Sequence, residues 1–290
     1  MRASACAVPC RGAFLLLGGT LTACGGGVEA TAPADGGADV AGASYTGYVS
    51  ASSSSNDYYA ISASFIVPDA SLDPQRFSTL LAPSSSCPST DVAVGACCYS
   101  AGAQVAATRF YASAGVITVN VNGGSTLASM QPFPPDPKSP SYYQYYSPPT
   151  GSPRWTPGDV LVVSASGDAV HAFAGSLHTV RPLLGVAPAL TAPVIDRSRD
   201  FQINWTPDSQ PGEEVSFALE LSGGGRITCT AGDALGKVTV PSRLLANAGA
   251  MDSANVLLER ALSSGLASDS DNATVFLEAL TFLSGQATFK

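Results

Sequence analysis

Apolar residues in this chain alternate with small or polar residues over short segments, and turn residues separate one segment from the next. In the clearest segment, Tyr59, Ile61, Phe65 and Val67 fall on one face, which is the two-residue period of a β-strand. The same pattern predicts strands at 104–111, 116–121, 160–166, 169–174, 200–206, 214–221 and 226–230. Many short strands with turns between them predict an all-β fold, a β-sandwich of immunoglobulin-like or related type, with two stacked β subdomains as a variant.

Three segments depart from this pattern. Residues 131–158 contain nine prolines and are predicted to form a long surface loop, because proline disrupts helices and central strands. Residues 241–246 are predicted to form one helical turn. Residues 251–290 fit the period of a helix as well as that of a strand, and we favour strands because Ser-Gly and Asp-rich breaks divide the segment.

The N-terminal 23 residues have the three zones of an export signal. Arg2 and Arg11 are followed by the apolar run 13–19 and then by Leu21-Thr22-Ala23-Cys24, which looks like a lipobox. The sequence therefore predicts a signal peptide at 1–23, lipidation of Cys24, a Gly/Ala-rich disordered tether at 24–44 and a β-sandwich domain at 45–290, with an optional boundary near residue 186. Gly25 after the cysteine is typical of lipoproteins sent to the outer membrane.

Charge limits the partners of the mature chain. Only 12% of residues are charged, and after Cys24 there remain 12 basic and 22 acidic residues, a net charge of −10. An acidic protein repels phosphate, so nucleic acid is excluded as a partner. No stretch after Cys24 approaches the roughly 20 apolar residues of a membrane helix. We expect the lipid alone to reach the membrane and the domain to meet a glycan or an envelope protein.

Four cysteines remain in the mature domain after the lipidated one, which is an even number in an oxidising compartment. They are Cys87, Cys97, Cys98 and Cys229. A bond between the adjacent pair is strained, so the favoured pairing joins Cys87 to one of the two and Cys229 to the other. A zinc site is the alternative, but the spacing lacks two Cys-x-x-Cys knuckles.

No motif in the sequence predicts catalysis, a cofactor or a metal centre. His171 and His178 are the only histidines, and their spacing does not put them on one face of a helix. The chain has no Gly-x-Ser-x-Gly elbow and no phosphate-binding glycine loop. Residues 269–272 offer oxygen ligands, but they lack the glycine and distal glutamate of a calcium loop.

One aromatic segment is a candidate ligand site. Tyr142, Tyr143, Tyr145, Tyr146 and Trp155 lie in the proline-rich stretch, where exposed rings stack on sugars or anchor a protein. The alternative is that alternate tyrosines form an edge strand and pack on the core with their hydroxyls in water.

The order of these features resembles a group of uncharacterised β-rich lipoproteins of Gram-negative bacteria. The likeness covers most of residues 55–250, and the resemblance implies localisation and fold but supplies no activity and no site residues. The stretches that carry it are Ser64-Phe65-Ile66-Val67, 113–119, Trp155-Thr156-Pro157-Gly158-Asp159, 170–173, Ile203-Asn204-Trp205-Thr206, 227–229 and 240–245.

Three functions follow from the sequence as hypotheses. The first is a non-enzymatic envelope lipoprotein that binds a surface partner or has a structural role. The second is a carbohydrate-binding module that uses the aromatic segment. The third is a secreted hydrolase with a site assembled from distant residues, including His171 or His178.

Overall fold

The fold is given by a computed structural model. It describes residues 45–54, 58–67, 92–94, 97–100, 110–133, 145–150, 154–208, 210–222, 225–247, 253–267 and 273–290. Within these ranges strands account for most residues, and the structure confirms the predicted all-β sandwich.

One large sheet contains eleven strands of the described chain. They are β1 Tyr45–Ser54, β2 Tyr58–Val67, β3 Val92–Val94, β4 Cys97–Ser100, β5 Phe110–Tyr111, β8 Tyr145–Thr150, β12 Val194–Ile195, β14 Glu214–Leu221, β15 Arg226–Gly232, β17 Ala254–Ala267 and β18 Ala273–Phe289. Their order is β3-β4-β15-β14-β17-β18-β1-β2-β5, with β12 added beside β18 and β8 beside β2.

Two smaller sheets pack on this large one. The four-stranded sheet has the order β10-β9-β6-β7, and the three-stranded sheet has the order β11-β13-β16. The strands of the first are β6 Ile117–Val121, β7 Thr126–Met130, β9 Val160–Ala165 and β10 Phe173–His178. Those of the second are β11 Leu184–Ala187, β13 Phe201–Thr206 and β16 Lys237–Val240, followed by helix α1 Ser242–Asn247.

The two small sheets produce two separate hydrophobic cores. The four-stranded half consists of the four-stranded sheet packed on β1, β2, β8 and the first part of β18, and its core includes Phe65 and Leu161. The three-stranded half consists of the three-stranded sheet and α1 packed on β14, β15, the first part of β17 and the end of β18, and its core includes Ile203 and Phe217. Alternation along each strand sends one face to these cores.

The strands β17 and β18 run through both halves. They have 14 and 17 residues and pair antiparallel over their full overlap, from Ala254 opposite Ala287 to Ala267 opposite Thr274. Strand β1 pairs with β18 in parallel, from Tyr45 opposite Ala273. The large sheet is therefore continuous under both cores.

Several predicted elements are confirmed. Phe201, Ile203 and Trp205 point inward from β13 as the alternation predicted, Phe201 being only half-buried. The turn after β6 is present, with Asn122 at a φ of 50°. The helical turn at 241–246 is α1. Residues 251–290 form strands, as favoured, in the parts that the structure describes.

Three predictions about elements are corrected. The proline-rich stretch contains β8, which includes Pro148-Pro149 and pairs with β2; among the described strands β8 pairs with β2 alone, and proline is tolerated in such a strand. The strand predicted at 169–174 begins instead at Phe173. The Ser-Gly pairs of 251–290 do not break the strands, since Ser264-Gly265 lies inside β17 and Ser284-Gly285 inside β18.

Candidate functional site

Tyr145 is part of the core. It lies at the start of β8, opposite Ala63, and its side chain is fully buried. Its ring meets the ring of Phe65 edge-on, with centroids 5.8 Å apart. Its hydroxyl accepts the backbone N–H of Ala114 at 2.8 Å and lies 3.3 Å from Ser113 Oγ. The fold therefore uses both the ring and the hydroxyl of this residue.

Trp155 is buried as well, and its ring meets that of Tyr59 edge-on at a centroid distance of 4.9 Å. The prediction that these aromatic side chains are exposed is therefore wrong for Tyr145 and Trp155, because both rings are packed in the core. Tyr146 is half-buried, and Tyr142 and Tyr143 lie outside the described residues. Of the alternative interpretation, the inward tyrosine is present, and its strand β8 pairs with β2 alone among the described strands. The inward hydroxyl, however, is buried and bonds to the backbone.

Cys97 and Cys229 form a disulfide. They face each other on β4 and β15, with Cα atoms 4.0 Å apart, and both side chains are buried in the core of the three-stranded half. Cys98 is disulfide-bonded too, while Cys87 lies outside the described residues. The structure thus confirms that Cys229 bonds to one member of the adjacent pair.

The two histidines are exposed and lie at opposite ends of the β10 segment. His178 Nδ1 is 3.5 Å from the carbonyl oxygen of Gly158. Across the described ranges, no three His, Cys, Asp or Glu side chains form a group that could hold a metal ion. Residues 269–272, whose oxygen atoms lack the pattern of a calcium loop, and the predicted lipidation residue Cys24 both lie outside those ranges.

Most of the buried charged side chains in the described part of the chain lie at or beside Arg260. The Arg260 side chain points inward from β17 and is 1% exposed. It lies against residues 179–183, through which the chain crosses from β10 to β11 and passes from one core, with Val180, to the other, with Leu183. Its Nη1 donates to the carbonyl oxygens of Arg181 and Pro182 at 3.1 and 3.2 Å, and its Nη2 donates to that of Thr206 at 2.8 Å. One guanidinium thus holds the crossover segment, the end of β13 and β17 together.

Asp233 is the main acidic partner of Arg260. It begins a 3-10 turn, Asp233–Leu235, directly after β15, and its side chain is buried. Its Oδ1 accepts Nε and Nη2 of Arg260 at 3.0 and 2.8 Å and also the indole N–H of Trp205 at 2.8 Å. Its Oδ2 accepts the backbone N–H of Asp208. A buried pair with this many charge-assisted bonds has the satisfied geometry that such a pair needs.

Glu213 completes this group, here called the Arg260 cluster (Arg260, Asp233, Asp208 and Glu213). Glu213 directly precedes β14, and its Oε2 lies 3.7 Å from Arg260 Nε. The pKa of Glu213 is raised to about 7, chiefly by burial and next by the Asp208 carboxylate; Asp233 also acts to raise this pKa, while Arg260 and Arg181 act against the rise. A carboxyl with such a pKa is the kind of group that marks functional sites. Here, however, the residue is only 4% exposed, which closes it to a substrate in this structure.

The Arg260 cluster is not among the sites that the sequence predicted. A signal was present: Arg260 occupies an inward position of the alternation begun by Val256 and Leu258, and a charge at such a position predicts a buried partner. The signal was missed because the segment fitted a helix as well as a strand. The partners lie in turns beside Gly212 and Gly232, where acidic residues are usually solvated.

No protein-family model matches the chain, and none of the curated proteins matches it. Among solved structures, it is similar to a chain described under the words "Structural insight into host cell surface retention of a 1.5-MDa bacterial ice-binding adhesin", with 14% identity and a TM-score of 0.20. The similarity covers 85% of this chain and 66% of the adhesin chain. So low a TM-score does not establish a common fold. In the described part, no helix has the length and apolar character to cross a membrane.

Proposed function

We propose that this chain is a lipid-anchored lipoprotein of the bacterial outer membrane, and that its β-sandwich domain binds a surface partner or supports the envelope without catalysis. The proposal that the domain is not an enzyme is supported by the contacts of its buried ionisable groups, which are structural. Arg260 and Asp233 are engaged by each other, by Trp205 and by backbone atoms of four residues, Arg181, Pro182, Thr206 and Asp208. These groups stabilise the junction of the two halves and are not presented to a cleft.

The anchoring part of the proposal rests on the sequence. Leu21-Thr22-Ala23-Cys24 follows a short apolar run, and Gly25-Gly26-Gly27 begins the predicted tether. Two or three acyl chains, at about 0.8 kcal/mol per buried methylene, make such an anchor stable. The tether would then hold the acidic domain away from a membrane surface that repels it.

Mass spectrometry of the N-terminal peptide from cells tests the anchor. We expect a peptide that begins at Cys24 and carries diacylglyceryl mass. Cys24→Ser should abolish the acyl mass, while Cys10→Ser, a matched change inside the leader, should leave it in place. A mature peptide with a free Cys24 thiol would contradict the anchor.

A substrate panel and a glycan array separate the remaining functions. We expect the purified protein to turn over no ester, peptide or glycoside, and a turnover that a point mutation abolishes would overturn the non-enzymatic function. His171→Ala and His178→Ala are the variants that test the hydrolase hypothesis. Glycan binding that Tyr142→Ala and Tyr143→Ala remove would favour the carbohydrate-binding alternative.

A further inference from the structure

Glu213 is a buried carboxyl without hydrogen bonds among the described residues. Its side chain is 0% exposed, and neither carboxyl oxygen has a hydrogen-bond partner there. The nearest cation, Arg260 Nε, is 3.7 Å from Oε2, which is beyond hydrogen-bond distance. Arg260 directs its bonds to Asp233 instead. A buried carboxylate in this position would carry a charge that no donor stabilises, which is costly.

The charges around Glu213 decide which form is favoured. Asp208 faces it from the loop after β13, Asp233 from the 3-10 turn, Arg260 from β17 and Arg181 from the crossover segment. With Glu213 neutral, two carboxylates face two guanidinium groups. With Glu213 ionised, three carboxylates face the same two cations, and the side chain of Arg181 is 63% exposed, so that water screens it.

We propose that Glu213 is a proton-operated switch at the junction of the two halves. Its neutral carboxyl leaves Arg260 bound to Asp233, Thr206 and the crossover segment. Once ionised, it competes with Asp233 for the guanidinium and adds a like charge beside Asp208. Release of the proton therefore loosens the contacts that fix the crossover between the four-stranded and three-stranded halves.

The sign of the pH effect follows from the direction of the shift. The pKa of Glu213 is raised from 4.5 to about 7 in the folded protein, so the folded state binds the proton more tightly than the unfolded state. The stabilisation is fully present below pH 4.5 and is lost as the pH rises through 7. Between pH 5 and pH 8, the unfolding equilibrium constant should rise on the order of a hundredfold through this group.

Denaturant unfolding of the whole protein at pH 5 to 8 tests the proposal. We expect the wild type to lose stability across this range, while Glu213→Gln, which mimics the neutral carboxyl, removes about a hundredfold of the change in the equilibrium constant. Glu220→Gln, which removes an exposed carboxyl from the other end of β14, should keep the wild-type pH dependence. If Glu213→Gln and the wild type have the same pH dependence, the switch is refuted.

A second measurement reports the junction directly and does not need a Glu213 variant. In a Trp155→Phe background, the remaining Trp205 bonds to Asp233 through its indole N–H, so its fluorescence should follow the cluster. We expect a titration with a midpoint near pH 7, and a lower midpoint after Asp208→Asn removes the like charge that raises the pKa of Glu213 most. The absence of a titration, or a midpoint that Asp208→Asn leaves unchanged, would overturn the proposal.

Discussion

The two halves of the molecule are closed by different means. In the four-stranded half, aromatic rings make the long-range contacts: Phe65 meets both Tyr145 and Phe173 at 5.8 Å, and the Tyr145 hydroxyl fixes the loop before β6. In the three-stranded half, a disulfide joins β4 to β15, and Arg260 joins β17 to the end of β13 and to the crossover segment that enters this half.

The difference is connected with the size of the covering sheet. The three-stranded sheet has one strand fewer than the four-stranded sheet, and two of its strands have only four residues, so it has fewer side chains with which to cover β14 and β15. Less burial leaves a smaller hydrophobic contribution, and a covalent bond and a charge cluster compensate for it. The disulfide and the Arg260 cluster are therefore found in the half whose covering sheet is the smaller one.

Arg260→Met is expected to have the largest effect on this contrast. The change leaves Asp233 as a buried carboxylate without its cation, and a broken buried pair costs about 3–5 kcal/mol. Urea denaturation at pH 7 measures the loss. Arg199→Met, which removes an exposed cation paired with Asp196, should change stability by no more than about 1 kcal/mol. Equal effects of the two changes would show that the cluster does not stabilise the junction.

Removing the disulfide is expected to follow in size. Cys97 and Cys229 are 132 positions apart, and Cys97→Ala with Cys229→Ala should cost about 2–4 kcal/mol. The two tryptophans allow each half to be monitored, with Trp155 in one core and Trp205 in the other. Single-tryptophan variants should show the two halves shifting together, because β17 and β18 run through both. A shift confined to Trp205 would instead divide the domain into two units.

A smaller effect is expected where the backbone passes close over β18. A side chain at Gly285 would overlap the carbonyl oxygen of Leu190, so Gly285→Ala should destabilise the three-stranded half by about 2–3 kcal/mol. Gly232→Ala, at a glycine with φ of −60° and open space around it, is the control. Thermal unfolding of both variants makes the comparison, and a neutral Gly285→Ala would contradict the close approach.

Tyr145→Phe is expected to have the smallest effect. It keeps the ring against Phe65 but removes the acceptor of the Ala114 amide, for a loss of about 1 kcal/mol. Tyr59→Phe, which keeps the ring contact with Trp155, should change stability by no more than about 0.5 kcal/mol. Denaturant midpoints check both values. An unchanged midpoint for Tyr145→Phe would show that the hydroxyl does not stabilise the four-stranded half.

Local alternation predicted the strands whose two faces differ in polarity. Strand β13 is the clear case, because Ile203 and Trp205 are buried while Gln202 and Thr206 are exposed. Strand β8 was missed because Pro148-Pro149 argues against a strand. Its pairing with β2 alone, among the described strands, is a tertiary feature that makes the prolines tolerable. The local pattern could not show that β18 continues through Ser284-Gly285. A glycine is needed there because the backbone of Leu190, far away in the sequence, passes too close for a side chain.

The candidate site was less predictable than the fold. The aromatic segment was predicted as a ligand site because a sequence does not distinguish exposed tyrosines from buried ones. The contact of Tyr145 with Phe65 shows that this ring is buried. Conversely, Asp233 and Glu213 look like ordinary turn residues until Arg260 is placed beside them. Segments that are distant in sequence meet at the Arg260 guanidinium only in the folded protein, so no local sequence pattern predicts the cluster.

The parallel pairing of β1 with β18 has a consequence for the order of folding. Ser53 Oγ donates to the carbonyl oxygen of Leu280 at 3.5 Å, across 227 positions of sequence. As a chain emerges from its N-terminal end, β1 has to wait for almost all of the sequence before this neighbour exists. Such high contact order makes folding slow, so a partially emerged chain keeps the edge of β1 open and has to be kept from aggregating until β18 arrives.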